Sequence, residues 1–147
     1  MEWKFLSFED LSTAELYQLL QLRSEVFVVE QDCVYQDIDG LDQKAIHVLG
    51  YADKLVVAYA RIFDSGVYFD EASIGRVIVK ETYRSKNLGH VLMKKSIAFI
   101  DQHFNSPTIR ISAQQYLVKF YNYHAFKEVG EGYLEDGIPH INMIKKI

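Results

Sequence analysis

The sequence predicts a mixed α/β sheet with helices packed on both faces, and three observations predict it. Two apolar segments, Ala45 to Tyr51 and Leu55 to Phe63, flank the polar turn Asp53-Lys54 and read as an antiparallel hairpin. From Ala72 to His124 the chain alternates strand, helix, strand, helix, which implies a parallel crossover. A last pair of segments, Phe126 to Gly130 and Ile138 to Lys145, closes around Asp136-Gly137 as a second hairpin. The sheet is therefore expected to be antiparallel at its start and parallel in its middle.

Taken in order, the N-terminus Met1-Glu2-Trp3-Lys4-Phe5 has neither a basic leader nor a long apolar run, which argues against export. Ser12-Thr13-Ala14-Glu15 is a capping box, in which Ser12 and Glu15 satisfy each other's backbone donors and open the first helix. Leu16, Leu19, Leu20, Val26 and Phe27 then fall on one helical stripe. Ala72 to Lys80 is a third strand, with apolar residues on both faces at Ile74, Val77, Ile78 and Val79. Helix His90 to His103 follows, with Leu88, Val91, Leu92 and Phe99 on one side, and Asn105-Ser106-Pro107 stops it. Thr108 to Ala113 is a short strand and Gln115 to His124 a helix.

Composition bounds the function. The 147 residues, 49% hydrophobic and 24% charged, are expected to form one domain over 1–147 with a full apolar core. A net charge of -4 excludes a global nucleic-acid footprint, so any anion must be caught locally. Cys33 is the only cysteine, which rules out an internal disulfide and suits a reducing compartment. Apolar runs fall far short of the roughly 20 residues that span a bilayer, so the expectation is a cytoplasmic protein with no membrane or nucleic-acid partner. The histidines show no metal-ligand spacing, and no metal is expected.

The stretch Gly75 to Lys95 carries the chemistry. An apolar strand enters the turn Arg84-Ser85-Lys86-Asn87-Leu88-Gly89, which opens directly into a helix. Unpaired N–H groups and a partial positive charge make such a helix start a phosphate site. Arg84 to Lys95 holds four Lys/Arg residues and no acid, Gly89 permits close backbone approach, and Asn87 stands where a positive φ is useful. The turn is neither a Walker loop nor a dinucleotide fingerprint, which disfavours nucleoside triphosphates and nicotinamides. A solvated surface turn is the plainer alternative.

Val77-Ile78-Val79 followed by Arg84-Ser-Lys-Asn-Leu-Gly89 resembles the acetyl-CoA motif of the GNAT N-acetyltransferase superfamily, with Asn87 in place of its first glycine. Phe120-Tyr121-Asn122-Tyr123-His124-Ala125-Phe126 resembles the same family's Phe-Tyr-x-x-x-Gly-Phe, with Ala125 replacing a glycine. Leu22-Arg23 through Phe27, Glu30-Gln31, Cys33, Tyr35, Asp37, Asp39, Asp42 and His47, with Gly137-Ile-Pro-His140, is similar to the ElaA-like branch. The resemblance implies a GNAT-like fold whose central parallel strands splay apart, and acetyl-CoA as acyl donor. It implies that Arg84, Ser85, Lys86, Asn87, Leu88 and Gly89, with His90 and Asn122, bind the cofactor. Val77, Ile78 and Val79 would pair with its pantetheine arm, and a backbone N–H there would polarise the thioester carbonyl.

The implied reaction is direct attack by a primary amine in a ternary complex. With an alkyl amine near about 10.4 and a thiol near about 8.5, a base and an acid both help at neutral pH. Tyr121 matches the family's leaving-group acid. His47, His140 and Glu30 are candidate bases or acceptor-site residues, with a water chain as the alternative. The run Glu25, Glu30, Asp32, Asp37, Asp39 and Asp42 has no basic residue within it and is expected either to attract a cationic amine or to form a solvated loop. Cys33 lies in this acidic stretch, which disfavours a thiolate nucleophile. The competing function is a non-catalytic acyl-CoA-binding or regulatory module. Either form could be a homodimer, as is common among similar proteins, and the acceptor amine stays open.

Overall fold

The computed structural model describes residues 1–147 throughout. Strands Glu2–Ser7 (β1), Ile46–Ala52 (β2), Leu55–Phe63 (β3), Ala72–Val79 (β4), Thr108–Gln114 (β5), Lys127–Glu135 (β6) and Ile138–Lys146 (β7) form one sheet in the order β1-β2-β3-β4-β5-β7-β6. The α-helices are Thr13–Arg23 (α1), Leu88–His103 (α2) and Val118–Tyr123 (α3). Pairing is antiparallel from β1 to β4, parallel between β4 and β5, and antiparallel again where β7 enters between β5 and β6. This is the GNAT-like mixed sheet. No helix is long and apolar enough to cross a membrane.

The alternation of β3 builds the core on both faces. Ala58, Ala60 and Ile62 meet Leu92, Met93 and Ile100 of α2, and the two alanines let that helix approach closely. Tyr59 points the other way, into a cluster with Leu19 and Leu22 of α1 and with Val26 beyond it. The capping box forms as expected: Glu15 N–H donates to Ser12 Oγ at 3.0 Å and Ser12 N–H to Glu15 Oε1 at 2.9 Å. Strand β1 was not expected. Its Trp3 lies opposite Gly50 of β2, where an added Cβ would be 2.7 Å from the indole, so only glycine lets the ring lie on the sheet.

Two irregularities shape the site. Beyond Arg23 the helix widens into a π-helical turn, Ser24–Glu30: Val26 is buried in the core with Phe27 packed against the same cluster, and both, with Glu30, also border a cleft. In β4, Ile78 pairs with Tyr59 but Gly75 with Arg61, which leaves one extra residue on β4 and Arg76 at a φ of 50°. Strand β4 then leaves β5 after only two registered pairs, Ala72 with Ile109 and Ser73 with Arg110. β5 pairs with β7 along its whole length instead.

His124, at the end of α3, is buried, and its Nε2 lies 2.9 Å from Nδ1 of His90. Burial, then the charges of His90, Lys94 and Lys145, hold its imidazole down at about 4. A histidine depressed in the folded state contributes stability that is complete above its unfolded value near 6.5 and lost as pH falls toward the folded one. Thermal unfolding between pH 7 and pH 4.5 should therefore show a falling Tm, and His124→Gln should flatten that fall. An unchanged slope in the variant would remove His124 as its source.

Candidate functional site

The open edge of β4 faces two recesses. One, of about 360 Å³, is walled by the π-helical turn and the segment after it (Glu30, Gln31, Tyr35) and by Asp136 and His140 from the C-terminal hairpin. The other, of about 630 Å³, lies at the start of α2 and includes Ser85, Asn87, Leu88, Gly89 and His90. They share Val77, Ile78, Val79, Arg84, Leu117 and Tyr121, so the two recesses are one continuous cleft meeting at β4 and Tyr121. Lys80 N–H donates to Val57 O across β3, at 2.7 Å. Val79, one residue earlier, therefore turns its N–H and C=O to the opposite, open edge. Arg84 Nε–H donates to that carbonyl at 2.9 Å.

The turn into α2 has the positive φ expected at Asn87 and a second one at Ser85. Ser85 and Asn87 are left-handed, at φ 67° and 63°, and Asn87 is the N-cap. No acid stands in the first helical turn, and the N–H groups of Leu88, Gly89 and His90 have no partner within the helix. The cationic charge is less concentrated than its sequence density implies. Arg84 is paired with Glu30 at 2.7 Å, Lys86 lies over the Tyr83 ring, and Lys95 over Trp3 a helical distance away. Lys86 therefore does not line the cleft, although its neighbours do.

Tyr121 is almost fully buried and packs edge-on against Phe120 and Phe126. Burial, and then Tyr116, push its phenol above the ordinary range, so it keeps its proton at neutral pH. Glu30 and His140 both line the 360 Å³ side of the cleft with Asp136. Nδ1 of His140 lies 2.7 Å from Ile138 O, which places the hydrogen on that nitrogen, and Nε2 lies 3.3 Å from the Glu135 carboxylate. His90 lies among Phe120, Tyr123 and His124 at the mouth of the α2 side.

Two predicted site residues are elsewhere. His47 is fully buried, with Nδ1 2.6 Å from the Tyr59 hydroxyl and Nε2 2.8 Å from Asp42 O. Burial holds its imidazole below the ordinary value, and both nitrogens are used, so it is a packed strand histidine and not a cleft base. Asn122 turns away from the cleft: its amide donates to Phe126 O at 2.8 Å and Glu128 Oε1 at 3.0 Å, closing the end of α3.

The acidic run is neither a free electrostatic lure nor a solvated loop. Asp37 accepts from Arg23 Nε and Arg76 Nε, each at 2.8 Å. Asp42 accepts from Arg23 at 2.7 Å and Arg61 at 2.9 Å, and Asp39 accepts two bonds from Arg61. Glu25 is paired with Lys80. Burial would raise the Asp39 carboxyl, but the hydrogen bonds and charge of Arg61, with Leu41 N–H and Arg76, bring it down to about 2. Arg76, not expected at the site from the sequence, thus ties the β4 bulge to this loop. Its signal was the arginine inside an otherwise apolar strand.

A family profile described as "Acetyltransferase (GNAT) domain" matches residues 9–147. The chain belongs to the GNAT acetyltransferase family. Protein ElaA of Escherichia coli is 44% identical over 149 residues, spanning 100% of this chain and 97% of that protein. The crystal structure of Escherichia coli ElaA superposes with a TM-score of 0.93, covering 99% and 100% of the two chains. An acyl-CoA N-acyltransferase from Pseudomonas aeruginosa is 40% identical with a TM-score of 0.91, covering 99% of each chain. The GNAT family transfers acyl groups from acyl-CoA donors to amines, and this chain is an ElaA-like GNAT.

Both places where a GNAT glycine is replaced have left-handed backbone: Asn87 at φ 63° and Ala125 at φ 67°. Asparagine tolerates this and alanine does not, at a cost of about 1–2 kcal/mol. Ala125→Gly should therefore stabilise the protein by about 0.5–1 kcal/mol in urea unfolding, since glycine also gains freedom in the unfolded chain. A loss of stability would contradict that account of the helix end. Asp37→Asn would leave three arginines facing two aspartates, with the fully buried Arg23 keeping only Asp42 as a charged partner, and should cost about 3–5 kcal/mol by the same measurement. A cost below about 1 kcal/mol would show that the network does not hold the loop.

Proposed function

We propose that the protein is an N-acetyltransferase that moves an acetyl group from acetyl-CoA to a primary amine by direct attack in a ternary complex. One observation carries this reading: β4 parts from β5 after Ser73, and the cleft so opened runs unbroken from the start of α2 to the Glu30–His140 wall, with Tyr121 at the join. The residues fit the donor. The first-turn N–H groups of α2 and the left-handed Asn87 suit a pyrophosphate, and the outward peptide groups of β4 suit an extended amide-bearing arm. Acetyl-CoA would supply the acyl group as a thioester.

The chain's own part is to orient, to polarise and to move two protons. Backbone N–H on the open edge of β4 would stabilise charge on the thioester oxygen. The amine nitrogen bonds to the acyl carbon as the carbon–sulfur bond breaks. Tyr121, held protonated by its burial, gives its proton to the departing thiolate. Of the two carboxylate and imidazole candidates on the acceptor wall, Glu30 is held by Arg84 and His140 by Ile138 O and Glu135. Either would take the amine's proton directly or through water. His47 has no part in this step.

Thiol release from acetyl-CoA should rise above the no-amine control for at least one member of a broad amine panel. Binding by calorimetry without any such release would favour the non-catalytic acyl-CoA-binding module. Tyr121→Phe should lower turnover by about a hundredfold, within the range for a general acid, while leaving acetyl-CoA affinity within about twofold. Unchanged turnover would remove Tyr121 from the chemistry.

A further inference from the structure

We propose that a small polar recess over Gly75 is an acceptor subsite that takes a neutral, hydroxyl-bearing arm of the amine, and that the missing side chain of Gly75 keeps it open. The proposal rests on the acceptor entering by the Glu30–His140 side of the cleft. The recess holds about 50 Å³ and joins the 360 Å³ side through Gly75, Arg76, Ser112 and Glu135. A water's share of liquid volume is about 30 Å³, so a hydroxymethyl-sized group fits and a ring does not.

Neither backbone nor packing demands glycine at the junction. Gly75 is not left-handed, and a Cβ built on it would meet no atom within 4 Å. What a side chain would occupy is the passage itself. Directly across the ladder is Arg61, only 2% exposed, which also walls the recess. Its terminal nitrogens are held by Asp39 and Asp42, but its Nε–H is buried with no hydrogen-bond partner. Buried donors are nearly always satisfied, so this one marks a place for an acceptor atom.

Charge selects the arm. Arg23, Arg61 and Arg76 are balanced by Asp37, Asp39 and Asp42, which leaves Glu135 as the carboxylate on the recess wall, with His140 beside it. A carboxylate on the acceptor would face the like charge of Glu135 across the recess. A hydroxyl can accept from Arg61 Nε–H and donate to Glu135, and Ser73 and Ser112 widen the polar lining. The substrate class is therefore an amino alcohol.

The test compares amino alcohols of increasing length with alkylamines of equal heavy-atom count, on the wild type, Gly75→Ala and Gly75→Val. The wild type should favour the matching amino alcohol by at least about tenfold in kcat/KM, as a site built to bind a hydroxyl does. Gly75→Val should erase that preference, keep the alkylamine within about twofold and leave acetyl-CoA affinity unchanged, with Gly75→Ala between. A preference that survives Gly75→Val, an equal loss for both amines, or no preference in the wild type overturns the proposal. In parallel, the Arg61 Nε–H resonance, assigned with Arg61→Lys, should shift on adding the amino alcohol to the wild type and not to Gly75→Val. That shift without turnover of any amine would keep the subsite and sink the transferase reading. Turnover without the shift would keep the transferase and sink the subsite.

Discussion

Two parallel strands that start together and then part impose the constraint on which the rest depends. After Ala72 and Ser73, β4 has no neighbour on its outer side, while β5 is fully engaged with β7. Backbone donors and acceptors cannot be left unpaired in a dry interior, so the gap between these strands must be solvated or filled by something with peptide-like groups. Arg84 already covers one exposed carbonyl, that of Val79. The helices beside the gap serve it: α2 begins where the open edge ends, and α3 brings Tyr121 to its floor.

The cleft wall that follows the π-helical turn is placed by charge more than by apolar burial. Between Gln31 and Ala45 the chain forms only the short 3-10 turn Asp42–Lys44, yet it is fixed against the sheet by three aspartates and three arginines. Because Asp37 holds both Arg23 and Arg76, it links the end of α1 to the bulge of β4. Removing one partner strands another, which is why such a network is stiff even where its net contribution to stability is modest. The loop's position and the bulge's are thus set together.

Much of this was legible in the sequence where the information is local. The capping box at Ser12 and the Asp53-Lys54 and Asp136-Gly137 turns lie within a few residues of what they control. Asn87 was legible for the same reason, since its side-chain type reports its own φ. Strand β1 could have been found from Trp3 and Phe5 alternating with Glu2 and Lys4, but six residues carry a weak pattern. The acidic run misled because a charge's sign is local and its partner is not: Asp37 meets arginines 14 and 39 positions away. His47 misled likewise, its role being decided by Tyr59 and Asp42 across the fold. The splay itself belongs to two strands jointly, so no window of sequence contains it, and only the family resemblance anticipated it.

Amide hydrogen exchange along β4 tests the central claim most directly, that the donor lies against the open edge of this strand. In the free protein, Val77 and Val79 should exchange faster than Ile78 and Lys80, whose N–H groups face β3. Saturating acetyl-CoA, with occupancy confirmed by calorimetry, should slow Val77 and Val79 and leave the β3-facing amides unchanged. Bound acetyl-CoA that leaves Val77 and Val79 exchanging as before would contradict the account.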